Sequence, residues 1–208
     1  MKVLKLAEAV DFIRPAVESV PGPWADLGAG HGTFTEALAA IVDSESTILA
    51  VDRDRSAVKA LRKLATRVEP EGRIRVSEGN IEEPAAIPGL AAIRPAGVLL
   101  GNVLHYVQEP VYPLKTIADL LAPNGRIVII EYDRRASNQW VPYPLPVPRL
   151  LEVAGAAGLT APSLVARRNS SYQGSMYCAV LFRLPSESTD VVAAHGQGTP
   201  SIDERSDS

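Results

Sequence analysis

One glycine-rich stretch, Asp26-Leu27-Gly28-Ala29-Gly30-His31-Gly32-Thr33, constrains this chain more than any other feature. The residues leading into it, Trp24 to Asp26, read as a strand, and Thr33 to Ile41 spaces its apolar residues as a helix does. A strand that passes through glycines into a helix is the turn where an open α/β sheet receives an adenosine-type ligand. Glycine is required there because a Cβ would block the ligand's approach.

The rest of the chain repeats the alternation. Thr47 to Asp52, Arg73 to Ser77, Gly97 to Leu100 and Gly125 to Tyr132 are strand candidates. Ser56 to Ala65 and Val111 to Leu121 carry helical spacing, with Val58, Leu61 and Leu64 on one side and Asp54 placed to cap the first. Pro123-Asn124-Gly125 supplies a turn before a run apolar enough for a central strand covered on both faces. After the proline-rich residues 140–148, a helix from Arg149 to Ala157 stops at Gly158, and strands over Leu164 to Asn169 and Ser175 to Leu184 pair as a hairpin.

The expected fold is therefore α/β, with three layers around a doubly wound, mostly parallel, seven-stranded sheet that ends in an antiparallel C-terminal hairpin. A helix near the N-terminus has Leu4, Leu6, Val10 and Ile13 on one side, with Pro15 set to interrupt or bend it. Over residues 1–20 it reads as a lid on the ligand pocket, or as a helix docked on the core.

With 46% hydrophobic and 22% charged residues in 208, the chain supports one core and one domain, residues 1–184. Residues 185–208 have too little apolar content to pack and read as a disordered acidic tail. That tail holds five acids against Arg205, so residues 1–184 carry 19 acids against 20 bases and the body is nearly neutral. Such a balance provides no strong field for nucleic acid or an anionic membrane. The cluster Lys59, Arg62, Lys63, Arg67, Arg73, Arg75 keeps a nucleic-acid partner open, or is simply a solvated face interrupted by Glu69 and Glu71.

No run approaches the ~20 apolar residues of a membrane span, and Met1-Lys2-Val3-Leu4-Lys5 lacks the apolar stretch of a secretory signal; the expected compartment is the cytoplasm. The single cysteine, Cys178, lies in an apolar run and reads as a small buried side chain. Three histidines and one cysteine show no metal-binding spacing, so no metal is expected.

Two details argue against a nicotinamide or flavin dinucleotide. The third glycine comes one place early, and Asp26 precedes the loop, where it would repel a pyrophosphate but attract an ammonium or sulfonium. Asp52, 20 residues after Gly32, ends the second strand where a carboxylate can accept from both hydroxyls of an unphosphorylated ribose.

These residues resemble the class I S-adenosylmethionine-dependent methyltransferases over most of residues 20 to 184. The resemblance implies S-adenosyl-L-methionine as cofactor. It places Asp26, Gly28, Ala29 and Gly30 near the methionine portion, Asp52 on the ribose and Arg53 beside the adenine. Asn80 and Ile81 follow the third strand where the family frames the adenine, and Asn102 follows the fourth where it contacts the methionine moiety and faces the acceptor. The family's Asn-Pro-Pro-aromatic signature of nucleic-acid amine methylation is missing, as is a base-carbon nucleophilic cysteine.

Methyl transfer is an in-line displacement, so a base is needed only for acceptors that carry a proton. His105, beside the fourth strand's end, is the candidate base, or else a packing histidine. His31 in the glycine loop reads as shaping or covering the cofactor. Acceptor recognition is expected from Tyr106, from Arg134, Trp140 and Tyr143 after the fifth strand, and from Tyr172 in the hairpin loop. These arginines and aromatics suit a small aromatic or acidic molecule, or equally a proline-fixed connection that only packs.

The expected activity is methylation of an O, N or C atom of a small-molecule acceptor, with the oligomeric state left open. RNA or protein methylation, a non-catalytic cofactor-binding module and a nucleotide-dependent oxidoreductase are the competing readings.

Overall fold

The computed structural model describes residues 4–68, 72–169 and 174–185; the hairpin loop with Tyr172 and the tail beyond Pro185 lie outside the described residues. Five parallel strands, β1 (Trp24–Leu27), β2 (Ile48–Asp52), β3 (Ile74–Glu78), β4 (Gly97–Gly101) and β5 (Arg126–Asp133), are joined by crossovers through helices. Strands β6 (Ser163–Asn169) and β7 (Ser175–Phe182) close the sheet antiparallel, in the order β3-β2-β1-β4-β5-β7-β6. This is the doubly wound, seven-stranded sheet with the antiparallel hairpin that the sequence implies.

The alternation within β5 explains why both sheet faces are covered. Ile127 and Ile129 enter one apolar cluster while Val128 and Ile130 enter the other, and all four are fully buried. Helices α4 (Leu90–Ile93), α5 (Val111–Leu120) and α6 (Val147–Ala156) cover the first face. The second face carries α1 (Leu6–Val17), α2 (Thr33–Ile41) and α3 (Arg55–Val68). Trp24 fills this second layer because its neighbour on β4 is Gly97, where a Cβ would run into the indole ring.

Asp54 caps α3 as expected, its Oδ1 accepting from Ser56 N at 2.6 Å and Ala57 N at 3.3 Å. Most element ends fall within a few residues of the sequence expectation, and two of the differences have a clear physical reason. Helix α1 runs through Pro15 to Val17, because a proline in the last turn removes a single donor and Glu18 N closes on Arg14 O at 2.9 Å. Strand β7 stops at Phe182, because Leu184 N turns away to Gly158 O at 2.9 Å. Phe12, Ile13, Ala16 and Val17 dock α1 on the core beside α2 and the β6–β7 hairpin.

Candidate cofactor and active site

The sheet reverses direction of winding between β1 and β4, and a cavity of about 440 Å³ opens there at the C-terminal strand ends. Its first wall is the glycine turn, with Gly28, Ala29 and Gly30 followed by Thr33 and Phe34 of α2. Gly28 (φ 76°), Gly30 (φ 56°) and Gly32 (φ 90°) all adopt the left-handed region.

Their missing side chains serve different ends. A Cβ on Gly28 would strike Val103, and one on Gly32 would strike Leu64, so the protein's own packing dictates both. Only at Gly30 would a Cβ meet open space. Packing within the chain accounts for Gly28 and Gly32, and of the three only Gly30 faces open space.

Asp52 ties this turn to the adjoining strands. Its Oδ2 accepts from Gly30 N at 2.8 Å and its Oδ1 from Asp54 N at 2.9 Å, while its backbone oxygen accepts from Gly79 N at 3.1 Å. Each carboxylate oxygen keeps a second lone pair, and the residue lines the cavity with Arg53. Gly79, Asn80, Ile81 and Glu82 form the next wall; Asn80 Oδ1 accepts from Glu82 N at 3.2 Å and so fixes that turn.

The last wall is the exit of β4: Gly101, Asn102, Val103 and Tyr106. Gly101 is bare because Phe34's ring occupies the place of a Cβ. Asn102 takes a left-handed φ of 55° while its N–H donates to Ile130 O at 2.9 Å, and its side-chain Oδ1 is buried without a partner among the described residues.

Asp26 does not reach the wall. It lies beneath the glycine turn, 1% exposed, accepting from Thr35 Oγ1 at 2.6 Å. Burial pushes its carboxyl up to about 7, against the lowering effect of the Thr35 hydroxyl and with help from the charge of Asp52.

His105 also stands behind the wall, 2% exposed, in the short 3-10 turn Leu104–Tyr106. Its Nδ1 lies 2.7 Å from Oε2 of Glu131, a fully buried residue of β5, and its backbone N–H donates to Oε1 at 3.1 Å. Tyr132 N donates to Oε2 at 3.3 Å. Two backbone N–H groups and the Nδ1 edge of the ring thus converge on one carboxylate. The sequence singled out His105 but not Glu131, since an acid inside an apolar strand has no spacing signal toward a histidine 26 residues earlier.

The acceptor-side expectations separate. Tyr106 lines the cavity, its ring tilted 49° to that of His105 with centroids 4.3 Å apart. Arg134, Trp140 and Tyr143 do not line it. Asn138 Oδ1 accepts from Trp140 N and Val141 N to form its own turn, leaving Trp140 63% exposed, and Tyr143 Oη is 3.3 Å from Gln108 Oε1. Tyr172 lies outside the described residues. Thr33, Phe34, Gly79, Glu82, Gly101 and Val103 are wall residues that sequence reasoning missed.

Two members of the basic cluster have structural roles. Arg67 pairs with Glu36 at 3.2 Å, and Arg73 Nη2 donates to Ala39 O at 2.8 Å near the end of α2. Cys178 is fully buried, and burial pushes its thiol up to about 12, in keeping with a packing role. Among the described residues no helix is long and apolar enough to cross a membrane.

A methyltransferase-domain family model matches residues 23–156, which spans every wall of the cavity. The chain belongs to the methyltransferase-domain family. Its sheet is the Rossmann-like fold of the class I S-adenosylmethionine-dependent members. Among solved structures, an arsenic(III) S-adenosylmethionine methyltransferase from Chlamydomonas reinhardtii is 18% identical, with TM-score 0.65, 81% of this chain and 65% of that chain covered. The YcgJ protein from Bacillus subtilis is 11% identical, with TM-score 0.70, 86% of this chain and all of that one covered. The glycopeptide N-methyltransferase MtfA, solved with sinefungin, is 14% identical with TM-score 0.64 and 87% of each chain covered. The chain spans just under two-thirds of the first of these and half of the CurJ carbon methyltransferase, another neighbour. No curated protein matches the chain in sequence.

Proposed function

We propose that this methyltransferase binds S-adenosyl-L-methionine in the β1–β4 cavity and methylates a hydroxyl or amine of a small molecule. The observation that carries the cofactor assignment is the pairing of the open cradle at Gly30 with the orphaned Oδ1 of Asn102 on the opposite wall. An acceptor oxygen of that kind suits an ammonium group, and the second lone pairs of Asp52 suit a ribose diol. Arg53 and Ile81 then flank the adenine, with Glu82 at the same end.

The cofactor supplies an electrophilic methyl on a sulfonium. The chain's part is to align the acceptor and to remove its proton. With Glu131 holding Nδ1–H of His105, Nε2 would take the acceptor's proton. Tyr106 lies against His105 and is 45% exposed, so its ring would have to move aside for an acceptor to reach the imidazole. The small acceptor is supported by the cavity's size and by the small molecules named for structural neighbours, among them arsenic(III) and a glycopeptide.

Calorimetric titration with S-adenosylmethionine, S-adenosylhomocysteine and NADH tests the first step. Saturable binding of the two sulfur compounds that is lost in Asp52→Ala is expected. Binding of NADH alone, or of none, overturns the assignment.

A further inference from the structure

A second cavity, about 650 Å³, lies at the opposite end of the sheet, between the turn before β5 and the end of β7. Residues 121–126 and 182–185 line it; they include Arg126 and Arg183 and no carboxylate. We infer that this cavity binds a small anion, a phosphate or a carboxylate, through the guanidinium of Arg126 with Arg183 at its edge.

Arg126 carries the inference. Its Nη1 donates to Ala16 O at 3.2 Å, in the last turn of α1, and its guanidinium lies over the Phe182 ring at 5.3 Å. Capping α1 explains one N–H. It leaves Nε, which is buried without a partner among the described residues. No acid on this cavity's wall answers the charge, and removal from water pulls the group's pKa below its ordinary value.

A guanidinium partly withdrawn from water and facing no carboxylate costs stability that an anion in the cavity would offset. The planar fork of arginine, already oriented by Phe182, matches the paired oxygens of a carboxylate or phosphate. Arg183 adds a second charge; its contact with Asp119, 3.8 Å between exposed groups, is weak enough to be exchanged.

The test titrates inorganic phosphate into the full chain and follows the proton–nitrogen resonances of Arg126 Nε and the Gly125 amide, with the Gly30 amide as a control for the first cavity. A saturable shift at Arg126 and Gly125 but not at Gly30, weakened about tenfold in Arg183→Gln, is expected. Arg126→Gln should abolish binding, but it also removes the Ala16 bond, so the exposed Arg183 variant keeps the test independent of folding. No saturable shift at Arg126, or one unchanged in Arg183→Gln, overturns the inference.

Discussion

Glu131 holds His105 with both carboxylate oxygens, one on the backbone N–H and one on Nδ1, in a place where neither side chain meets solvent. That clamp fixes the tautomer as well as the ring position. Glu131→Gln keeps the shape but points an amide donor at the Nδ1 proton or at a backbone N–H. Turnover should fall by about 10²-fold or more with KM for the cofactor unchanged, because the first cavity's walls are untouched. His105→Ala should give a similar loss in kcat. Steady-state kinetics on an identified acceptor decide it, and full turnover in either variant removes the dyad from the reaction.

Asp26 makes stability depend on pH. Its folded-state value is about 7 against an ordinary 3.8, so the folded protein holds this proton more tightly than the unfolded chain. The stabilisation is complete below about pH 3.8 and is lost as pH rises through about 7. The loss at pH 8 is on the order of 4 kcal/mol. Asp26→Asn removes that slope and keeps an acceptor for Thr35. Urea unfolding at pH 5 and pH 8 should therefore show the difference between variant and parent growing with pH in the variant's favour. A pH-independent difference would place the Asp26 carboxyl near its ordinary range.

The three glycines of the turn divide by what surrounds them. Gly28→Ala and Gly32→Ala put a methyl into Val103 and Leu64 on a left-handed backbone, and should each cost about 2 kcal/mol or more of stability. Gly30→Ala meets no atom, so its cost is the backbone term of about 1 kcal/mol. Its methyl occupies the space assigned to the cofactor, and affinity for S-adenosylhomocysteine should drop at least tenfold. Thermal melts paired with calorimetry separate the cases. Equal stability losses at all three positions would contradict the packing described.

The architecture was legible because its signals are redundant. Five apolar strands, spaced helices and a glycine turn all required the same sheet, and the errors were confined to ends set by single hydrogen bonds, such as Leu184 to Gly158. Helix α4, four residues long, is too short to show a period. In the first cavity, residues with chemical identity were found and those with only shape were missed: Phe34 and Val103 look like any core residue in sequence. Arg134, Trp140 and Tyr143 are expected at the crevice only because their segment follows β5. Nothing in its composition revealed that Asn138 would fold it on itself and turn Trp140 to solvent.

Asn102 provides the sharpest test of a residue kept for function against stability. A non-glycine residue at φ 55° carries backbone strain of roughly 1 kcal/mol, and its buried Oδ1 forgoes a hydrogen bond worth about as much again. Asn102→Gly removes both penalties, retains the N–H to Ile130, and sacrifices up to about 1 kcal/mol through a more flexible unfolded chain. The variant should thus unfold at a higher temperature than the parent, by about 1 kcal/mol, while binding S-adenosylmethionine at least tenfold more weakly because the acceptor oxygen is gone. Melting curves measured with and without the cofactor check both halves: the ordering should be variant above parent without it, and reversed at saturating concentration. A variant less stable than the parent in both conditions would mean that Asn102 is a packing residue.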